Sequence, residues 1–381
     1  MNSAIEGIDA LTGRPLSLEI RDGRIAAIGE ATGAPDTYLA AGLIDLQVNG
    51  YAGLDINAGA VAPELMLKLC QALAAVGVTT WLPTIITASE AAITAALAAI
   101  AAAREAERLV ADMVPGVHVE GPSISTVDGP RGAHPLAYVR PPSLDEFERW
   151  QAACGGLVSM VTLAPEHEGA LAYISTLVAR GIRVAIGHTA ATAEEIHAAA
   201  DAGATLSTHL GNGAAGLLPR HPNFIWAQLA DDRLSAGLIA DGHHLPADTL
   251  KAMLRAKGLD RAFLVSDTVA LAGMPAGTYH QPVGGDVAVS EDGRIGLAGT
   301  PYLAGAGHAL ATDIARAITM TGLPLSDILP LATNNPGRIV GGRGTLEVGA
   351  RADVIRFFWK QGDDALDIRE TWVSGRKVFC R

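Results

Sequence analysis

The sequence predicts a (β/α)8 barrel of the TIM type, in the α/β class, with a small β-sandwich domain built from both ends of the chain. Three observations support this prediction: eight short β-like runs alternate with helical stretches, polar residues close six of those runs, and β-like segments occupy both termini. Parallel strands that alternate with helices are typical of α/β folds, and eight such units over about 290 residues predict a closed barrel. A doubly wound open sheet is the alternative, but no Gly-x-Gly-x-x-Gly motif follows the first run.

The two ends of the chain share an alternating, β-like pattern. Residues Leu16–Arg21 and Arg24–Gly29 flank Asp22-Gly23, a pair that is typical of a two-residue hairpin turn. Residues 344–357 and 369–379 have a matching pattern. Because isolated hairpins are only marginally stable, we expect the two ends to pair into one β-sandwich; two independent hairpins are the alternative.

Between the ends, the eight runs begin about 25–40 residues apart, and Ala-rich helical segments separate most of them. We therefore predict a barrel domain over residues 41–336 and a small domain over residues 1–40 and 337–381. The runs, in chain order, are Leu43–Val48, Thr79–Thr84, Gly116–Glu120, Val158–Leu163, Arg183–His188, Thr205–His209, Ala236–Asp241 and Ala262–Asp267.

Composition excludes several classes of partner. The 381 residues include 28 basic and 40 acidic side chains, a formal net charge of −12, so neither nucleic acid nor an anionic membrane is an expected partner. Apolar residues make up 49% of the chain and predict a large core.

The first residues lack the pattern of a secretory signal, and three scattered cysteines fit neither a disulfide framework nor a Cys-rich zinc site. We expect a soluble cytoplasmic protein.

Polar side chains stand at the ends of the predicted strands, where barrel enzymes build their active sites. Glu120, His188 and His209 close three different runs, and two imidazoles with one carboxylate are a ligand set for a divalent metal that leaves positions open. For a lone histidine, a capping or core role is the alternative. Asp267 ends the last run, and a free carboxylate there predicts a general base beside the metal; a helix N-cap is the alternative. His118, two residues before Glu120, is expected inside the barrel.

Six short motifs in consistent order carry a family resemblance: Gly42-Leu-Ile-Asp-Leu-Gln-Val-Asn-Gly, His118-Val-Glu-Gly-Pro, Gly187-His-Thr, Thr208-His-Leu-Gly-Asn, Ala240-Asp-Gly-His-His and Val265-Ser-Asp. With the terminal β segments, the chain resembles the amidohydrolase superfamily, most closely its N-acetylglucosamine-6-phosphate deacetylases. The resemblance implies a hydrolase that removes the N-acetyl group of an N-acetylhexosamine 6-phosphate by means of a divalent metal. Zinc is the first expectation for the metal, with iron, manganese and cobalt as alternatives.

The resemblance also implies further site residues. His134 resembles the histidine that hydrogen-bonds the substrate's amide carbonyl, and Asn212 with the backbone of Gly213 resembles a phosphate-binding pair. His244 resembles another phosphate or sugar contact. Arg220 resembles an arginine that one subunit supplies to the phosphate site of its neighbour, which implies a homodimer. A solvated loop arginine is the alternative for Arg220.

Two departures from the resembled pattern affect the expectations. Many superfamily members have His-x-His after strand one, where this chain has Gln47-Val-Asn49, and amides bind zinc poorly, so we predict one metal per subunit. The run Asn212-Gly-Ala-Ala-Gly replaces a bulkier one and leaves the sugar epimer open. An amidohydrolase for a different N-acyl or cyclic amide, and a non-catalytic binding protein on this scaffold, are the alternative functions.

Overall fold

The structure is a computed structural model that describes residues 3–59, 61–281, 285–299 and 303–381. Its strands are β1 (Ser3–Asp9), β2 (Pro15–Arg21), β3 (Arg24–Gly29), β4 (Tyr38–Ala41), β5 (Leu43–Val48), β6 (Gly50–Tyr51), β7 (Leu54–Asp55), β8 (Val78–Ile86), β9 (Val117–Glu120), β10 (Val158–Leu163), β11 (Arg183–Ile186), β12 (Leu206–Ser207), β13 (Ser235–Leu238), β14 (Ala262–Leu264), β15 (Gly277–Gln281), β16 (Gly285–Val289), β17 (Ile295–Leu297), β18 (Val354–Phe358), β19 (Asp367–Val373) and β20 (Arg376–Cys380).

The helices lie mostly between the strands of the central part of the chain. They are α1 (Pro63–Ala75), α2 (Glu90–Ala106), α3 (Arg108–Met113), α4 (Leu144–Cys154), α5 (Ala170–Ala179), α6 (Ala193–Asp201), α7 (Phe224–Ala230), α8 (Ala247–Lys257), α9 (Leu310–Thr321), α10 (Leu325–Ile328) and α11 (Asn334–Ile339). None of the helices in the described ranges has the length and apolar content that crossing a lipid bilayer requires.

Eight parallel strands form the barrel, in the order β5, β8, β9, β10, β11, β12, β13 and β14. The barrel closes because the chain after β14 pairs with the end of β5. There the Asp267 N–H donates to the Gln47 carbonyl over 3.0 Å, and the Asn49 N–H donates to the Thr268 carbonyl over 2.8 Å. The predicted (β/α)8 barrel is confirmed, and each predicted run overlaps one barrel strand.

The later barrel strands end two or three residues before the predicted runs do. The structure ends β11 at Ile186 and β14 at Leu264, whereas the runs extend to His188 and Asp267. The backbone leaves the extended conformation before the polar residue that closes the run, and φ is positive at both His188 and Asp267.

An apolar layer fills the interior of the barrel beneath its carboxyl-terminal mouth. One or two inward-facing side chains from most strands meet there and are almost completely buried, and an Ala from the loop that follows the three-stranded sheet of β15–β17 joins them. This layer gives the mouth a rigid floor, because protein interiors are close-packed. Its buried members are Ile44, Leu46, Leu82, Met160, Ala185, Leu206, Ile239, Phe263, Val265 and Ala306.

The two ends of the chain pair in one seven-stranded sheet, in the order β20, β19, β18, β4, β1, β2 and β3. The antiparallel pairing of β18 with β4 joins the ends, and the Ile25 N–H donates to the Ala350 carbonyl, so the sheet curls around its own core. The predicted small β unit from both termini is confirmed. The predicted hairpin is present as well, because β2 and β3 are antiparallel and Asp22 and Gly23 both have positive φ.

A three-stranded antiparallel sheet of β15, β16 and β17 follows the last barrel strand and was not predicted. It packs on Leu271 through Val287, Val289 and Ile295. This sheet matters for function because it forms one apolar wall of the cavity at the barrel mouth.

Candidate active site

A cavity of about 830 Å³ opens at the carboxyl ends of the barrel strands. One side is polar and built from strand ends, and the other is apolar and built from the loop after β14 and the β15–β17 sheet. The predicted site residues that line it are Asn49, Glu120, His134, His188, His209, Asn212, Gly213, His244 and Asp267. Gln47 lies beneath this group, and Arg220 lies outside the cavity.

The predicted metal ligands meet at one point of the cavity wall. The Nε2 atom of His209 lies 3.1 Å from Glu120 Oε1 and 3.0 Å from His188 Nε2, and His188 Nε2 lies 3.4 Å from Glu120 Oε1. Ligands held about 2.0–2.2 Å from a tetrahedral zinc ion lie about 3.3 Å from one another. The triangle therefore has the dimensions of one face of a tetrahedral metal site.

The surroundings of His188 and Glu120 suit a metal site as well. His188 Nδ1 lies 2.8 Å from the Pro130 carbonyl oxygen, to which it donates its proton, so Nε2 presents a lone pair. Burial disfavours the charge of Glu120, but the neighbouring imidazoles of His188 and His209 outweigh burial and hold the pKa of its carboxyl well below the ordinary value. The carboxylate is therefore ionised, as a ligand must be.

Gln47 and Asn49 bind the two functional carboxylates instead of forming a second metal site. The Gln47 side-chain amide donates to Glu120 Oε1 over 2.9 Å, and the Asn49 side-chain amide donates to Asp267 Oδ1 over 2.8 Å. Each amide thus orients a carboxylate by a charge-assisted hydrogen bond.

Asp267 lies on the cavity wall beside the three clustered side chains. Burial raises the pKa of its carboxyl above the ordinary value, and the imidazole of His209 opposes that shift. Within the described part of the chain, none of the three clustered side chains hydrogen-bonds the Asp267 carboxylate, which accepts from the Asn49 amide. The carboxylate is held in place and faces the cavity, as proton transfer requires.

Three of these residues share an uncommon backbone conformation. His188, His209 and Asp267 have φ values of 50°, 27° and 52°, in the left-handed region that favours glycine. Each follows a barrel strand, and the left-handed residue turns the chain so that its side chain points into the mouth. Such conformations cost about 1–3 kcal/mol each and persist where the surrounding structure enforces them.

His134 lies against the metal-ligand group without belonging to the triangle. Its ring centroid is 4.3 Å from that of His188, and a ligand atom of His134 lies within 4.8 Å of those of Glu120 and His188. Its Nδ1 is 2.8 Å from the Thr87 hydroxyl. Burial lowers the pKa of His134 to about 3, so its imidazole is neutral.

Thr87, whose hydroxyl contacts the site residue His134, was missed by the sequence analysis. The predicted second run ends at Thr84, and no polar residue was assigned to its end. The structure extends β8 to Ile86, so Thr87 takes the position after the strand that Asn49 takes after β5. The signal available in the sequence was Thr87 itself, a polar residue three positions after Thr84, where the predicted run ends.

The residues expected at the phosphate end lie on the loops after β12 and β13. The Asn212 side chain donates to the His209 carbonyl over 3.1 Å, and the backbone of Gly213 packs against His188, where a Cβ would lie 2.6 Å from Nδ1. His244 Nδ1 lies 2.7 Å from a carboxylate oxygen of buried Asp241. That contact holds the ring against the cavity wall.

Arg220 is exposed on the loop between His209 and α7 and forms no ion pair with the described residues. It does not line the cavity of its own chain. Two large apolar side chains near it in sequence are exposed as well: Leu217 is 92% exposed and Trp226 is 54% exposed. The structure thus separates Arg220 from the other predicted site residues within one chain.

His118 is buried inside the barrel, as expected. Its ring nitrogens contact the Thr84 and Thr162 hydroxyls at 3.3 and 2.7 Å. Burial lowers the pKa of His118 to about 4, so it is a neutral structural residue below the site.

Comparison with known proteins agrees with this geometry. The profile of the amidohydrolase family matches residues 38–378, which is most of the chain. The chain belongs to the amidohydrolase family. Members of this family are metal-dependent, in agreement with the cluster of Glu and His side chains.

Within the amidohydrolase family, the chain is similar to enzymes named for amino-sugar phosphates. It is 34% identical to the N-acetylgalactosamine-6-phosphate deacetylase of Escherichia coli O157:H7, with 94% of this chain and 93% of the relative covered. It is 31% identical to the N-acetylglucosamine-6-phosphate deacetylase of Vibrio furnissii, with 95% and 88% covered.

A solved structure shows the same architecture. A mutant of the N-acetyl-D-glucosamine-6-phosphate deacetylase of Mycobacterium smegmatis, in complex with N-acetyl-D-glucosamine-6-phosphate, is 30% identical to this chain. The TM-score is 0.87, and the match covers 99% of each chain.

Proposed function

We propose that this protein hydrolyses the N-acetyl group of an N-acetylhexosamine 6-phosphate to give the amino sugar phosphate and acetate. The observation that carries the proposal is the triangle of Glu120, His188 and His209 with Asp267 in the same cavity. The deacetylase names of the relatives support the substrate class.

Glu120, His188 and His209 would hold one divalent ion, with zinc as the first candidate. When bound, such an ion supplies Lewis-acid polarisation of an amide carbonyl and makes water more acidic. Asp267 accepts a proton from the attacking water while the oxygen of that water bonds to the carbonyl carbon. Asp267 then delivers that proton to the amide nitrogen as the carbon–nitrogen bond breaks. His134 hydrogen-bonds the carbonyl oxygen, and Asn49 keeps Asp267 in position.

The phosphate end of the substrate requires a cation, which the described cavity lining of one chain does not supply. The cavity lining includes the carboxylates of Asp55, Glu120, Asp128 and Asp267, and none of its described residues is Lys or Arg. A dianionic phosphate in such a cavity needs a compensating charge. Arg220 is exposed, and so are the large apolar side chains of Leu217 and Trp226 close to it in sequence. These exposed residues support a homodimer in which Arg220 of each chain completes its neighbour's site.

Asn212, Gly213 and His244 would contact the phosphate or the sugar from within the same chain, since all three line the cavity.

The cellular location that fits a sugar-phosphate substrate is the cytoplasm. The unpaired cysteines Cys70, Cys154 and Cys380 support that location.

The test is an acetate-release screen of the purified protein with added Zn²⁺, Fe²⁺, Mn²⁺ or Co²⁺. The substrates are N-acetylglucosamine 6-phosphate, N-acetylgalactosamine 6-phosphate and both free sugars. We expect metal-dependent release of acetate from a phosphorylated sugar, with the free sugars at least tenfold slower in kcat/KM. Equal rates with and without the phosphate would contradict the phosphate assignment, and no release from any of the four would contradict the function.

A further inference from the structure

We propose that Thr87 is a positioning residue that fixes the tautomer of His134, so that His134 carries its proton on Nε2 and donates it to the substrate's carbonyl oxygen. The inference rests on the proposed amide hydrolysis and specifies which nitrogen of His134 carries the proton that the substrate's carbonyl accepts. It also excludes His134 Nε2 from the metal ligands, because a protonated nitrogen has no lone pair to offer.

A neutral imidazole has one nitrogen that donates and one that accepts, and the partner of one nitrogen decides the role of the other. In His134 the partner of Nδ1 is the Thr87 hydroxyl, at 2.8 Å. No described residue hydrogen-bonds Nε2, and His134 lines the cavity. The direction of the single Thr87 hydrogen bond therefore determines whether the substrate meets a donor or an acceptor.

The surroundings of Thr87 favour donation from the hydroxyl to Nδ1. Thr87 is buried, and the other acceptor near its hydroxyl is the Glu120 carbonyl at 3.5 Å, which is the outer limit of a hydrogen bond. A hydroxyl has one proton to give, and the shorter contact to the ring nitrogen receives it. Nδ1 is then an acceptor, and the proton of the neutral ring lies on Nε2.

The position of Thr87 is held on two sides. It follows directly after β8, and its hydroxyl packs against Gly121, where a Cβ would lie 2.2 Å from the Thr87 oxygen. Gly121 has a φ of +87°, and it follows the ligand Glu120. The same backbone thus fixes the ligand and the hydroxyl that orients His134.

The direct test is the protonation state of His134 in the unsubstituted, zinc-loaded protein. Long-range ¹H–¹⁵N spectra of ¹⁵N-histidine-labelled protein, with His134 assigned by the His134→Gln variant, distinguish the three protonation states. We expect a neutral ring with the proton on Nε2. A proton on Nδ1, or on both nitrogens, would overturn the proposal, and this measurement does not depend on turnover.

Variants separate this role from a structural one. Thr87→Val removes the hydroxyl at nearly constant volume, and we expect kcat to fall on the order of 10–10²-fold with a smaller change in KM. Thr87→Ser should restore most of the rate and the Nε2–H signature. Thr371→Val, at another buried threonine whose hydroxyl binds the Ala74 carbonyl, is the matched control for the cost of a lost hydroxyl.

A double-mutant cycle completes the test. If Thr87 acts through His134, then Thr87→Val added to His134→Gln should cause less than a twofold further loss of kcat. Multiplicative losses would show that Thr87 acts by another route and would overturn the proposal. If the unsubstituted protein released no acetate at all, the proposed function would fail, while the spectra would still decide the tautomer.

Discussion

The lower layer and the mouth of the barrel are built from the same strands, only a few residues apart, yet they differ in side-chain polarity and in backbone conformation. In the layer, Leu206 and Phe263 are apolar, buried and in regular strands. At the mouth, His209 and Asp267 are polar, their backbone is in the left-handed region, and they lie in an acidic cavity. The difference shows that the lower layer stabilises the fold and that the mouth holds strained groups for chemistry.

The largest effect on turnover is expected at the metal ligands. His188→Ala or His209→Ala removes one of three protein ligands, so bound metal and acetate release should be lost together. Elemental analysis and the release assay measure both, and thermal unfolding in the presence of chelator checks the fold. Two tightly held ions per chain in the unsubstituted protein would contradict the prediction of one metal, which rests on Gln47 and Asn49 standing in place of two histidines.

Asp267→Asn should have the next largest effect, since it keeps the size of the side chain but cannot accept a proton at neutral pH. We expect turnover to fall on the order of 10²–10⁴-fold while stoichiometric metal stays bound. Asn49→Ala is the companion variant, because it leaves the carboxylate but removes its anchor, and its loss should be smaller. An active Asp267→Asn protein would mean that another group moves the proton.

Arg220→Ala should lower kcat/KM for the phosphorylated sugar by about 10–100-fold, which corresponds to one charge-assisted hydrogen bond of about 1.5–3 kcal/mol. The free sugar is the control substrate, and its rate should change less. Because Arg220 lies outside its own cavity, mixing Arg220→Ala with His209→Ala chains should restore activity above either alone, once subunits exchange. Monomeric protein by sedimentation, with full activity on the phosphorylated sugar, would contradict the shared site.

The smallest effect on turnover is expected in the lower layer. Leu82→Ala should reduce the free energy of unfolding by about 2–5 kcal/mol, because it leaves a cavity in close-packed surroundings. The kcat of the folded protein should stay within about twofold, since Leu82 belongs to the apolar layer and does not line the cavity. Denaturant unfolding and the release assay measure the two quantities, with Leu82→Met as the volume-conserving control. A large loss of kcat would contradict the conclusion that the layer serves stability and the mouth serves chemistry.

The sequence by itself determined the architecture and the chemistry of the donors. Eight hydrophobic runs predict eight strands because burial follows the apolar pattern, and parallel strands put their carboxyl ends at one mouth. Glu120, His188, His209 and Asp267 were therefore predictable as neighbours, although 89 residues separate Glu120 from His209. The β15–β17 sheet escaped prediction, because its short strands carry little periodic signal of their own.

Only the tertiary structure decided how the donors are held. The hydrogen bond from Asn49 to Asp267 spans 218 positions and that from Gln47 to Glu120 spans 73, and no local pattern encodes such pairs. The contact of Thr87 with His134 and the absence of Lys and Arg from the described cavity lining appear only when the strand ends are assembled. The physical reason is that side-chain hydrogen bonds depend on distances of a few tenths of an ångström, which close packing of the whole barrel sets.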